Sequence, residues 1–408
     1  MFQIILTLLL LLPLTSFAQW EFVAPLPTAR EGLTAVVLGN KIYAIGGSNG
    51  WGFSALDIVE VYDPLLDQWV TGPPLRHPRI YAASAVHDGK IFVFGGRNGF
   101  WLVDEIEMFD PQEGHWVEVG DMYSREGLSA TTYGDSIIVI GGKSSMWTYS
   151  PFANVYLPAS LTWGDSLASY PMPRAGHAAV AYGDSIFIIG GIAYGILSDV
   201  SIYNGFEWVD GPELPIGLGN TGAVVVDERI CVVGGNIGFD TVNKTFILGI
   251  SDIVWVEADT LNTSRDLHGV VTLNNKIYAI GGGQGDYFDR DYLSSVEVLN
   301  LTNNSVHDPG ITFNAAGYSM NNYPNPFSQT TNIQITSPSA VLNIEPVIIY
   351  NILGREVMRW ERPIWQGSAL SLRWDGKDLL GNPLPSGVYF LKVTDINNPQ
   401  MQKITIVR

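Results

Sequence analysis

Arginines followed by an acid are the side chains of this sequence best equipped for chemistry. Arg30-Glu31, Arg125-Glu126 and Arg265-Asp266 each set a permanent cation beside a carboxylate. Such a pair suits holding a polar ligand or, where a cleft shifts the pKa of the acid, moving a proton. A second set is aromatic: Trp51, Phe53, Phe100, Trp101, Tyr194, Phe239, Tyr287, Phe288 and Tyr292 share no fixed spacing. Exposed rings next to Arg and carboxylates suit stacking on sugars or anchoring a peptide, so the expected ligand is a glycan or a protein.

Metal and redox chemistry find little footing. None of the six histidines has ligand spacing to another, and the one cysteine, Cys231, sits in the apolar run Ile230-Cys231-Val232-Val233, where it reads as a small buried hydrophobe. His177 and His268 stand three residues after Arg174 and Arg265 and read as packing or rim residues. The segment Asp286 to Asp291 carries several oxygen donors, but Arg290 lies among them and no EF-hand register is present, so a solvated loop is expected. No metal and no cofactor are expected.

What brings these residues together is a repeat. Lys41-Ile42-Tyr43-Ala44-Ile45-Gly46-Gly47 is an apolar, β-rich run that stops at two glycines, and it recurs at 90–96, 136–142, 185–191, 229–235 and 276–282. The first glycines lie 49, 46, 49, 44 and 47 residues apart. That period is too long for one hairpin and right for a four-stranded sheet. A two-residue turn begins seven residues before each glycine pair, as in Gly39-Asn40 and Asp88-Gly89, with Asp227-Glu228 the poorest fit. Sixteen residues before it stands Arg30, Arg79, Arg125, Arg174 or Arg265, with Leu218 in the fifth copy. Recurrence at one register points to a structural task for the arginines. The unrepeated aromatics, in the loops after the glycines, carry more of the binding reading.

After the glycines come a third strand, a turn such as Asp63-Pro64 or Asp110-Pro111, and a tryptophan: Trp69, Trp116, Trp163, Trp208 or Trp255. Together these landmarks resemble the kelch repeat over roughly residues 20–306. The resemblance implies an all-β, six-bladed β-propeller in which lead-in arginines and variable loops share one face. The third copy departs most, with a weakly patterned third strand expected around Trp147-Thr148-Tyr149. The sixth copy lacks its tryptophan, and Trp20-Glu21-Phe22-Val23 supplies the missing fourth strand, which removes an exposed edge. The galactose oxidase branch needs a cysteine bonded to a tyrosine beside copper ligands, and Cys231 is badly placed for it. A likeness to the sialate mutarotases implies an alternative in which Arg125 with Glu126, or Arg265 with Asp266, acts on an anionic sugar. A purely structural surface or matrix component is a second alternative. The main reading is a monomeric, non-catalytic binding module.

Residues 1–18 combine a short apolar core with Ser16-Phe17-Ala18 and read as a signal peptide cut after Ala18. No later stretch is long and apolar enough to span a membrane. The net charge is -18, and residues 19–322 carry 14 Lys and Arg against 34 Asp and Glu, a surface that repels nucleic acid and anionic membranes. Residues 19–306 are expected to form the propeller and 307–322 a linker.

Residues 323–408 change character, with short strands separated by turns, as expected for a small β-sandwich. The motifs Tyr323-Pro324-Asn325-Pro326-Phe327, Gly354-Arg355 and Gly387-Val388-Tyr389 resemble the C-terminal sorting domain of the type IX secretion system. That resemblance implies an immunoglobulin-like domain whose partner is the outer-membrane secretion machinery of a Bacteroidota-type bacterium. The protein is then expected outside the cell or on its surface.

Overall fold

The computed structural model describes residues 19–50, 54–145, 148–250, 254–286, 289–300, 319–323, 327–336, 346–351, 355–361, 363, 369–393 and 400–407. The expected signal peptide lies outside the described residues, as do Trp51, Phe53, Trp147, Tyr287, Phe288, Pro324, Asn325, Pro326, Gly354 and most of the expected linker. The chain divides into two compact units, residues 1–306 and 307–408. The described residues include no helix long and apolar enough to cross a membrane.

Each repeat of the first unit makes one four-stranded antiparallel sheet, six in all. In blade one, Thr34–Leu38 and Lys41–Ile45 form a hairpin, and Val59–Asp63 and Gln68–Thr71 add outward in turn. The hairpin turns reverse the chain in two residues. Even Asp227-Glu228 adopts the left-handed turn, with φ of 47° and 59°, because Val226 pairs directly with Arg229 and leaves no longer path. The first strands, Thr34–Leu38, Ala83–His87, Ser129–Tyr133, Ala178–Tyr182, Gly222–Val226 and Gly269–Leu273, neighbour one another in a closed cycle. The second strands are apolar on both faces because both are covered: Ile91, Phe92, Val93 and Phe94 are all buried between adjacent sheets. Burying each such side chain contributes about 1.5–3 kcal/mol.

The ring is fastened by its tryptophans. Trp69 donates its indole N–H to the Ala24 carbonyl (2.8 Å), Trp116 to Pro73, Trp163 to Asp121, Trp208 to Ala168 and Trp255 to Pro212. Each bond reaches back to the segment that leaves the preceding blade. Trp20 makes the same bond to Asp259 (3.0 Å), while Glu21–Val23 pairs with Val296–Asn300 as the outer strand of blade six.

Blade three corrects one expectation. Its third strand is Ala153–Leu157, paired with Ser136–Ile140, whereas Thr148–Tyr149 folds back on Lys143–Ser145 as a small separate hairpin. The reason is packing: the later register buries Tyr156 against Phe92 and Phe94 of blade two and Ala153 in the cluster of Ile186 and Ile188 of blade four.

Among its described residues the second unit holds two sheets. One contains Ser319–Tyr323, Thr331–Thr336 and Ala369–Trp374; the other contains Glu356–Trp360, Val347–Asn351, Gly387–Val393 and Gln400–Ile406. They share one core, with Ile333, Ile335, Leu370 and Trp374 from the first and Val347, Ile349, Leu391 and Ile404 from the second. Residues 319–322, expected in the linker, belong with Tyr323 to a strand bonded to Thr331–Thr336; Asn321 and Asn322 carry no apolar alternation to announce it. Of the motif residues, Phe327 and Tyr389 are core, both packed on Trp374 with ring centroids 5.6 Å apart. Val388 is half-buried, Gly387 begins its strand, and Arg355 is exposed.

Candidate functional site

The lead-in to each first strand sets the geometry of the loop face. Arg30 donates to the Gly46 carbonyl (2.8 Å) and pairs with Glu60; Arg79 donates to Gly95 and pairs with Glu107 (2.6 Å); Arg265 donates to Gly281 and pairs with Glu297 (2.5 Å). In these blades, and in blade four where Arg174 donates to Gly190, the sixteen-residue spacing is this bond, whereas Arg125 keeps the spacing but bonds Ser150 and Asn154. In return the second glycine of each pair donates to the carbonyl of the next blade's lead-in residue, Gly47 to Arg79 and so on round to Gly282 on Arg30. The first glycine has no room for a side chain, since a Cβ on Gly95 would lie 2.5 Å from the Arg125 carbonyl. Arg30 and Arg265 are fully buried, and Arg125 nearly so. They therefore face the blade interior, which corrects their expected place on the ligand face.

Two residues further on, the chain enters the left-handed region in every blade: Gly32, Tyr81, Gly127, Gly176, Asn220 and Leu267 have φ between 50° and 64°. Their backbones form a closed ring. Gly32 donates to Leu267, Tyr81 to Gly32, Gly127 to Tyr81, Gly176 to Gly127, Asn220 to Gly176 and Leu267 to Asn220, at 2.7 to 3.1 Å. Where the residue is not glycine the conformation is strained, and Tyr81, Asn220 and Leu267 all line the central cavity.

That cavity holds about 550 Å³ on the ring axis. Small residues such as Ala35, Ala130, Ala179 and Ala223 line part of it. Its charged part is built at one register. The residue after each lead-in position bridges the residue after each glycine pair, giving Glu126 opposite Lys143, Ile80 opposite Arg97, Gly219 opposite Asn236 and Asp266 opposite Gly283. Arg290 spans blades six and one, ion-paired with both Glu31 and Asp266. Burial pushes both carboxyls up, and Arg290 opposes that shift. Burial works against the Arg290 charge too, but Asp266 and Glu31 more than offset it and raise its pKa. Burial and then the Glu31 charge drive the Tyr81 hydroxyl far up, so it stays a neutral donor. Across the cavity Glu126 lies 3.5 Å from Arg97 and 3.6 Å from Lys143.

Asn236 Oδ1 and Glu126 Oε2 in this wall are buried and lack a hydrogen bond, as does a ring nitrogen of His177 and of His268. The Asn236 amide nitrogen is committed to Asp266 at 2.7 Å, and Arg97 Nε to the Gly99 carbonyl at 2.8 Å. His177 and His268 lie deeper, both neutral. Burial, then nearby arginines, push each imidazole down to about 3, and His177 Nε2 meets Ser129 Oγ at 2.8 Å.

Of the aromatic candidates, Phe239 lines the cavity and is exposed; Phe100 and Trp101 stand exposed on the hairpin that begins at Arg97. Tyr194 is 94% exposed over blade four, and Tyr292 is half-buried in the strand that begins at Arg290. Glu31, Glu126 and Asp266 all line the cavity, Glu31 and Asp266 on Arg290 and Glu126 across from them. Sequence reasoning passed over Tyr81, Arg97, Lys143, Tyr149, Asn236 and Arg290 as cavity residues. Three of these, Arg97, Lys143 and Asn236, directly follow a glycine pair, and that fixed offset was the available signal. Among the described residues no group of His, Cys, Asp and Glu is placed to hold a metal ion.

The family model of the kelch motif matches residues 29–76, 78–123, 173–215 and 264–308, which fall on blades one, two, four and six. A model described as a secretion system C-terminal sorting domain matches residues 321–407. Beta-scruin of Limulus polyphemus is 29% identical over 246 residues, 54% of this chain and 27% of that protein. Kelch-like protein 26 of Danio rerio is 34% identical over 110 residues, 26% of this chain and 18% of that protein. The chain thus spans about a quarter or less of the length of these relatives. A solved structure of YjhT superposes with a TM-score of 0.59 at 17% identity, covering 69% of this chain and 98% of that one, a likeness of fold.

Proposed function

We propose that this chain, which carries kelch motifs and a secretion system C-terminal sorting domain, is an exported, non-catalytic binding protein that takes a carbohydrate in its axial cavity. The sorting domain supports delivery to the cell surface or the extracellular space. A cavity of about 550 Å³ is in the usual range for small-ligand sites.

The observation that carries the reading is a pair of buried acceptors without a hydrogen bond, Asn236 Oδ1 and Glu126 Oε2, the second held only by its ion pair with Arg97, and both set near the donors of Lys143 and Tyr81. A buried acceptor left unbonded is costly, so the site favours a ligand that brings O–H groups and also accepts. Sugar hydroxyls do both. Phe239 at the wall offers a ring face for the C–H side of a sugar. Glu31 and Asp266 are both held by Arg290, an arrangement that favours fixed recognition over proton transfer. The test is a glycan array with purified protein and an Asn236→Ala, Phe239→Ala variant. Selective binding is expected, weakened at least roughly tenfold in the variant; a protein that retains no glycan overturns the proposal.

A further inference from the structure

The axial cavity does not end at its own rim. Tyr149 lines it and also lines a second hollow of about 230 Å³, walled by Thr148, Met172, Pro173 and Tyr194. This hollow lies over blades three and four. It is made by the departure of blade three from the repeat, since the small hairpin of Lys143–Ser145 and Thr148–Tyr149 carries one wall. Tyr149 is half-buried, its hydroxyl is pushed up by burial and then by Tyr194, and both residues line this hollow. The Met172 carbonyl is tied inward by Arg174 Nε (2.9 Å), so that wall is anchored to the blade.

The two hollows differ in chemistry. The axial one is charged and rich in donors and acceptors, whereas the side one, among the described residues, has no charged residue and offers two phenol rings, a proline, a methionine and one threonine hydroxyl. Because Tyr149 borders both, the two hollows adjoin. We infer that the binding site is a two-part cleft for a linear oligosaccharide, with a terminal sugar in the axial cavity and the adjoining unit against Tyr149 and Tyr194. The inference rests on the carbohydrate reading above and adds chain length and direction to it. The side hollow recognises the C–H face of a ring and needs no charge on it. The added unit is therefore a neutral sugar.

Titration calorimetry on the purified protein, with β-1,4-glucan, chitin and α-1,4-glucan oligosaccharides from monomer to hexamer, tests this. Affinity is expected to rise roughly tenfold or more from monomer to a longer member of one ladder, the scale of one good aromatic contact. Tyr194→Ala should remove that gain and leave monomer binding unchanged. Equal affinity for monomer and hexamer overturns the two-part cleft while leaving the axial site intact, as does a Tyr194→Ala variant that weakens both alike. Binding of no ladder at any length overturns both readings.

Discussion

Blade two sets Arg79 against Glu107, blade three sets Arg125 against Asn154, and blade five sets Leu218 against Phe246 at the same two positions. In blade two the carboxylate also accepts the backbone N–H groups of Arg76 and His77, so charge and hydrogen bonds close together. Blade five has removed both partners, and Leu218 and Phe246 share an apolar cluster with Val232 and Trp255. Blade three has removed only one. Arg125 is left with the oxygens of Ser150 and Asn154 at 2.6 Å, its Nε–H has no partner, and burial pushes its pKa down to about 10. An ion pair is thus one of two ways to fill this place. The costly way is the half-changed one, because a buried charge without a counter-charge keeps its desolvation penalty.

The largest expected effect comes from breaking the blade-two pair. Glu107→Ala leaves Arg79 buried and unpaired and should cost about 3–5 kcal/mol, read by urea unfolding. Replacing both at once, Arg79→Leu with Glu107→Phe, copies blade five and should recover most of that loss. A double variant as unstable as the single one would show that blade five owes its stability to something else.

Acid provides a second test. At the position three after the lead-in residue, blades four and six have His177 and His268 where blades one and three have Leu33 and Leu128. Each histidine is held near 3 in the fold against an ordinary 6.5. The unfolded chain takes up the proton first, so the stability these neutral rings contribute is present above pH 6.5 and is lost as the pH falls toward 3. The slope is about 1.4 kcal/mol per pH unit for each ring. Stability measured from pH 7 to pH 5 should show it, and His177→Leu should flatten it by about half.

The smallest effect repairs blade three. Asn154→Asp gives Arg125 a counter-charge and should stabilise by about 1 kcal/mol, a rise in Tm of roughly 2–4 °C. No rise would mean that the neutral oxygens already satisfy the guanidinium.

The ring was legible in the sequence because backbone geometry imposes it in every copy. The double glycines answer to the lead-in carbonyl of the next blade, the arginine offset to a guanidinium bond on the first glycine of its own blade, and the two-residue turns to the direct pairing of first and second strands. Blade three was misread at Thr148–Tyr149 because its strand-like pattern serves a side hairpin, and the choice between two candidate strands is settled by Tyr156 packing across the blade boundary. The cavity was half legible. Glu31, Glu126 and Asp266 advertise themselves beside arginines, but Arg290 joins Glu31 across 259 residues of sequence. No local pattern encodes that contact.

The indole of Trp20 reaches a carbonyl 239 residues away. A linear array of repeats can lose a terminal unit and keep the rest, but here the first and last segments are woven into the same sheet. The circle is therefore a clasp rather than a stack. Its final blade gains an outer strand only when the earliest-synthesised part of the unit meets the latest, so closure of the ring is expected late in folding. A cut near either end should loosen the opposite one.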